Sequence, residues 1–249
     1  MDIYLAGLDG RGTMIHEGTS ENLFKKSMIL QSFFNANKFT EDVVIPQVSK
    51  FLLDSGAFSF FSGGKGTNWD EYLRDYADFI NRNKVDRFFE LDIDSLVGYD
   101  KVLQMRRELE RMTDKPCIPV WHKSRGKEAF IQMCKDYDYV SIGGIVSKEI
   151  TKPEYKYFPW FIDTAHKYGA KIHGLGFTNL ADLPKYHFDS VDSTSWTAGN
   201  KFGIIYQFNG KTLVNYDRPK GTRLTDAKTV AVHNFTEWVK FQQYAKTHL

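Results

Sequence analysis

The sequence predicts an α/β fold of the (β/α)8 barrel type, built as a single domain over residues 1–249. Three observations predict it. Short apolar runs alternate with longer segments of helical periodicity, the pattern of a mostly parallel sheet covered by helices. About eight such units fit a chain of 249 residues, the usual length of this barrel. The competing open doubly wound sheet carries G-x-G-x-x-G after its first strand, and "LAGLDGRG" has glycines at another spacing.

The elements follow in order. "IYLAGL" (3–8) predicts a strand, and "SENLFKKSMILQSFF" (20–34) a helix with a Ser cap and an apolar stripe. Strands are predicted at 50–58, 87–94, 116–122, 139–146 and 171–177, with helices at 69–83, 99–112, 126–137 and 154–169. A short helix from Asn179 precedes the seventh strand, "DSVDSTSW". "FGIIYQF" (202–208) is read as the eighth, with a hairpin into "KTLVNY", and a long helix closes the chain within about 225–247.

Hydrophobic residues make up 42% and aromatics 15%, ample for a core, and the formal charge of +2 neither demands nor excludes a nucleic-acid partner. Two cysteines, Cys117 and Cys134, are too few for a disulfide framework or a thiolate zinc site. No apolar run approaches the roughly 20 residues of a membrane span, and "MDIYLAGLDGRG" lacks a signal peptide's basic start. A soluble, cytoplasmic protein is expected, with no membrane partner.

In a barrel the chemistry lies at the C-terminal strand ends. Those ends carry Asp54-Ser55-Gly56, Asp92 and Asp94, Trp121-His122, Gly143-Gly144, His173-Gly174-Leu175-Gly176 and Asp192-Ser193-Thr194. Asp94 reads as a cap for the next helix, and each histidine alone as a satisfied core residue. Burying a carboxylate is costly unless it is paired or used, so three acidic strand ends on one rim point to a site. There is neither H-x-H on an early strand nor H-E-x-x-H, so no metal is expected.

"LLDSGAFSFF", "FFELDID", "YVSIGGIV", "KIHGLGF" and "FDSVDSTSW" follow one another over residues 50–196. Their order resembles that of the tRNA-guanine transglycosylase superfamily, and most closely its compact phage members, the 7-deazaguanine DNA transglycosylases. The resemblance implies exchange of guanine for a free 7-deazaguanine derivative, with DNA favoured over tRNA as the polymer. By this resemblance Asp192 is the nucleophile and Asp54 a general acid/base. Asp92 reads the purine edge, Gly143 and Gly144 offer backbone amides to the base carbonyl, and His122 sits near a base-contacting Gln. Leu175 and Gly176 form the pocket floor beside Ser55. The family's zinc subdomain, made by several Cys and a His, is missing.

The residue types suit that chemistry. One carboxylate can attack a sugar carbon, as in retaining glycosidases. A second can move protons for the leaving and entering bases. A third can accept from N1–H and N2–H2 of a guanine-like base. No cofactor is needed, though the base must leave its stack. Phe58, Trp121 and Phe177 are candidates to sandwich it. Candidate phosphate contacts are Lys65 in the glycine-rich loop "SGGKGTN" (a candidate lid), Lys123, Arg125, Lys201, Arg218, Lys220 and Arg223. A nucleoside or glycoside hydrolase on the same barrel, or a purine-binding module without catalysis, remain the alternatives.

Overall fold

The structure, a computed structural model, describes residues 1–56, 67–217 and 226–249, apart from the side chains of Asn200, Lys201 and Asp217. Strands β1 (Asp2–Ala6), β2 (Met28–Ser32), β3 (Lys50–Asp54), β4 (Val120–Trp121), β5 (Tyr139–Ile142), β6 (Lys171–Gly174) and β7 (Ser190–Ser193) form one seven-stranded sheet in the order β3-β2-β1-β7-β6-β5-β4. Every pairing in it is parallel. Two parallel bridges, Leu53↔Phe88 and Phe89↔Ile118, join the β3 and β4 edges through the 87–91 segment. The sheet therefore closes on itself. With that segment, eight parallel stretches surround one axis among the described residues.

The count of eight agrees with the sequence, but two of its members do not. "SENLFKKSMILQSFF" is not one helix. The helix Glu21–Lys26 stops at Ser27, whose hydroxyl donates to Phe24 O at 2.6 Å, and Met28–Ser32 then runs as β2. The uninterrupted burial of Met28, Ile29, Leu30 and Gln31 explains the misreading. A parallel strand buried on both faces has no alternation, and a short apolar run of this kind mimics a helix stripe. Conversely, Ile204–Phe208 (β8) pairs antiparallel with Leu213–Asp217 (β9) in a separate hairpin outside the barrel.

The strand period of two sorts residues between the barrel interior and the helix layer. Ile3, Leu5 and Ile29 belong to the outer core, whereas Tyr4, Ala6, Met28, Leu30, Leu52, Phe89, Ile118, Val120 and Tyr139 form a cluster of their own inside. Asp54 lies two residues after Leu52, and Asp192 sits opposite Tyr4 in the ladder, so both carboxylates fall on the inner face. Each fully buried Leu, Ile or Phe contributes roughly 1.5–3 kcal/mol, and this inner plug supports the polar layer above it.

The helices Trp69–Arg82, Tyr99–Thr113 and Gly126–Asp136 cover successive strands. The first is capped by Asn68, whose Oδ1 accepts from Glu71 N–H at 3.3 Å, and it buries Leu73, Tyr76, Ala77, Phe79 and Ile80. The closing helix, Ala227–His248, crosses the N-terminal strand ends. Its fully buried Gln242 donates to Ile3 O (2.6 Å) and Met28 O (2.7 Å), tying β1 to β2. Among the described residues no helix is long and apolar enough to cross a membrane.

Candidate active site

The C-terminal strand ends enclose a cavity of about 920 Å³, lined by Asp54, Asp92, His122, Gly144, Glu149, Leu175, Gly176 and Asp192 among others. Residues from six separate strand ends, the 87–91 segment included, thus converge, as the barrel geometry requires.

Asp192 is 7% exposed. Its Oδ1 accepts from Gly176 N–H at 2.5 Å and lies 3.3 Å from His173 Nε2. Its Oδ2 has no hydrogen-bond partner among the described residues. Gly176 serves this role through its backbone, with φ at +74° and a space that a Cβ would fill by meeting Val146 Cγ2 at 2.2 Å. Asp54, at the end of β3, accepts from Gly56 N–H through Oδ2 at 2.9 Å. Burial, and then the negative charges of Asp92 and Asp192, push its carboxyl up to about 7. At neutral pH it is therefore poised between acid and base, the property a proton-transfer group needs.

Asp92 is held by His122, with Oδ2 at 3.2 Å from Nε2, while His122 Nδ1 lies 3.1 Å from Glu149 Oε2. Burial alone would lower the His122 pKa. Its hydrogen bond to Asp92 and the Asp92 charge outweigh that and raise it to about 9. His122 is thus an imidazolium with both N–H groups on carboxylates, and the ring is a clamp rather than a free reader of a base. Gly143 makes room for that ring, since a Cβ there would meet His122 Cε1 and Val120 Cγ1 at 2.8 Å. Its own N–H is bound to Trp121 O at 2.8 Å, so the expectation that both glycine amides face a ligand is corrected for Gly143. Gly144, at φ +82°, lines the cavity and keeps its N–H unpartnered among the described residues. Leu175 and Gly176 line the floor, and Ser55 lies buried beside Asp54.

The basic residues divide. Arg125 does not fit a phosphate contact. Its side chain is 0% exposed, its Nε and Nη2 bind Asp94 at 2.7 and 2.5 Å, and Nη1 binds Glu90 at 2.7 Å. Its guanidinium also stacks on Tyr99, 4.5 Å from the ring centroid. Asp94 is correspondingly an ion-pair partner and not merely a cap. Lys123 is exposed and pairs with Glu154. The Lys201 side chain, Phe58, Lys65, Arg218, Lys220 and Arg223 lie outside what the structure describes, as does most of the "SGGKGTN" loop.

Trp121 and Phe177 do not face the cavity. Trp121 donates to Gly126 O at 2.7 Å and packs on Phe161, and Phe177 lies among Tyr155, Phe158 and Phe188. Cys117 and Cys134 are buried thiols. Asp189 points away from Asp192. It accepts from Ile172 N–H at 2.8 Å and pairs with His166 at 2.9 Å, fastening β7 to β6.

Sequence reasoning missed Glu149, Glu90 and Asp9. Asp9 lines the cavity and accepts from Gln31 Nε2 at 2.7 Å. Glu90 is fully buried and takes hydrogen bonds from Arg106, Arg125 and Val120 N–H. A carboxylate inside the apolar stretch "FFELDID" was the available signal for it. Among the described residues no group of three or more His, Cys, Asp or Glu is arranged to hold a metal ion.

No family model matches the chain, and no curated protein matches it. Among solved structures it is similar to a candidate fructose-1,6-biphosphate aldolase from Coccidioides immitis, at 10% identity over 96% of this chain and 86% of that one, with a TM-score of 0.54. A 3-hexulose-6-phosphate synthase aligns at 10% identity over 95% of this chain and 99% of that one, with a TM-score of 0.42. The likeness is one of fold. Only the first of the two is near enough in shape to bear on it, and it agrees with the closed parallel barrel.

Proposed function

We infer that the chain is a base-exchange glycosyltransferase, replacing guanine by a 7-deazaguanine derivative in a nucleic acid, with DNA the expected polymer. One observation carries the reading. Asp192 and Asp54 share a cavity in unlike environments, Asp192 fixed through one oxygen with the other open, Asp54 held near neutrality by burial. Two carboxylates whose surroundings separate their roles are the pattern of retaining glycosyl transfer.

In this reading the open oxygen of Asp192 attacks C1′ of the sugar as the bond to guanine breaks. The bonding electrons leave with the base, and Asp54 supplies its proton. A covalent aspartyl–sugar ester remains. The entering base gives a proton to Asp54, its nitrogen attacks C1′, and the ester breaks to restore Asp192. Asp92, anchored by His122, accepts from the N1–H and N2–H2 edge of either base. The free N–H of Gly144 donates to O6, and Glu149 stands beside it. The acidic lining suits a base presenting several donors. The resemblance of the strand-end motifs to the transglycosylases supports the same assignment.

The test incubates the folded protein with guanine-containing DNA or tRNA and labelled guanine or a deazaguanine. Label should enter a polymer. No incorporation on either polymer overturns the reading, and release of base with none incorporated identifies a hydrolase instead.

A further inference from the structure

Below Asp192 a line of polar groups runs down through the barrel. His173 is fully buried on β6, its ring 5.3 Å from that of Phe89 and 6.3 Å from that of Tyr4. Its Nε2 lies 3.3 Å from Asp192 Oδ1 and its Nδ1 2.5 Å from Ser190 Oγ. Ser190 Oγ is in turn hydrogen-bonded to the Tyr139 hydroxyl. Ser190 and Asp192 are two residues apart in β7, so the strand period puts both inside the barrel.

Counting protons assigns a direction to this chain. An ionised carboxylate only accepts, so His173 Nε2 must carry a hydrogen to bond Asp192. In a neutral imidazole Nδ1 is then an acceptor, so the Ser190 hydroxyl donates to it. Ser190 has a lone pair left, which takes the Tyr139 O–H. Burial pushes the Tyr139 phenol up to about 12, so it keeps that proton at neutral pH. Every donor in the line has an acceptor, and no proton is left over. An imidazolium would break this order, because Nδ1–H would turn the serine hydroxyl onto Tyr139 and leave the phenol's own proton without an acceptor among the described residues.

The geometry points to His173 as a positioning residue, locked by Ser190 and Tyr139 as the neutral Nε2–H tautomer and thereby fixing Asp192 with its second oxygen toward the cavity. This rests on the reading of Asp192 as the nucleophile. The Gly176 N–H holds the same Oδ1 from the other side, so the carboxylate is gripped at one oxygen by two donors. A neutral donor also leaves the nucleophile's charge uncompensated, whereas an imidazolium would draw on it.

The test is spectroscopic first and kinetic second. The full chain is labelled with 15N-histidine, and the His173 signals are assigned with His173→Gln. At pH 7.5 the wild type should show one tautomer, with Nε2 protonated and Nδ1 bare and hydrogen-bonded. Ser190→Ala should lose the hydrogen-bonded Nδ1 signature, and Tyr139→Phe should weaken it. A wild-type His173 that is Nδ1–H or doubly protonated overturns the proposal, as does a signature indifferent to Ser190→Ala. In base exchange, Ser190→Ala should lower kcat about tenfold, the effect of one ordinary hydrogen bond, with KM unchanged. A KM rise at constant kcat contradicts positioning. A wild type with the expected tautomer and no exchange on any polymer overturns the function alone. The tautomer signature is read without turnover, so the two failures are distinguishable.

Discussion

Asp92 and His122 form an ion pair in the wall of the cavity, Oδ2 to Nε2 at 3.2 Å. The pair makes stability depend on pH. In the fold the histidine's pKa stands at about 9 against 6.5 for the free side chain. A pKa raised by folding means that its stabilisation is complete below 6.5 and is lost as pH climbs to 9. Denaturation at graded pH should show a loss on the order of 3 kcal/mol over that window. His122→Asn should flatten the slope above pH 7. An unchanged slope in the variant contradicts the clamp.

Asp54 carries the opposite lesson for a carboxylate. Its folded pKa of about 7 exceeds the ordinary 3.8, so ionising it in place destabilises the fold as pH rises through that interval. Asp54→Asn should abolish exchange and yet stabilise the protein at pH 8 by about 4 kcal/mol. The gain should vanish at pH 3, where both forms are neutral. A loss of stability at pH 8 would argue that the acid is paired and not strained.

Arg125 and Lys123 are neighbours in sequence with different fates. Arg125→Met leaves Glu90 and Asp94 without their shared cation and should cost about 3–5 kcal/mol. Lys123→Ala, at an exposed pair, should change stability by no more than about 0.5 kcal/mol. Urea unfolding of the two variants separates these outcomes, and a mild Arg125→Met would contradict the buried network.

Gly176→Ala tests the amide that grips Asp192. The position has φ at +74° and Val146 in the way of a Cβ. The substitution should lower kcat more than tenfold while the melting temperature falls only by the few degrees that one strained residue brings. Full activity in Gly176→Ala would remove the amide from the mechanism.

Much of the site was legible because strands alternate. "DSVD" alone places Asp192 and Asp189 on opposite faces, and the structure gives one to the cavity and the other to a β6–β7 fastening. The same period could have drawn Ser190 to the side of Asp192. The barrel itself was read correctly through two compensating errors, the missed strand Met28–Ser32 and the hairpin strand Ile204–Phe208 counted in its place. Both arise because a short apolar run carries no label for which partner it will meet. What no local pattern reveals is pairing across the chain. Arg125 finds Asp94 from 31 residues away and His122 finds Glu149 from 27, so a buried guanidinium and a solvent-facing one look alike in sequence.

The covalent ester is the centre of the account. Folded protein mixed with guanine-containing DNA or tRNA, quenched in denaturant and digested, should yield by mass spectrometry a nucleic-acid adduct on the peptide bearing Asp192. Asp192→Asn should give none while still binding guanine. Base exchange with no adduct, or an adduct on Asp54 instead, would contradict it.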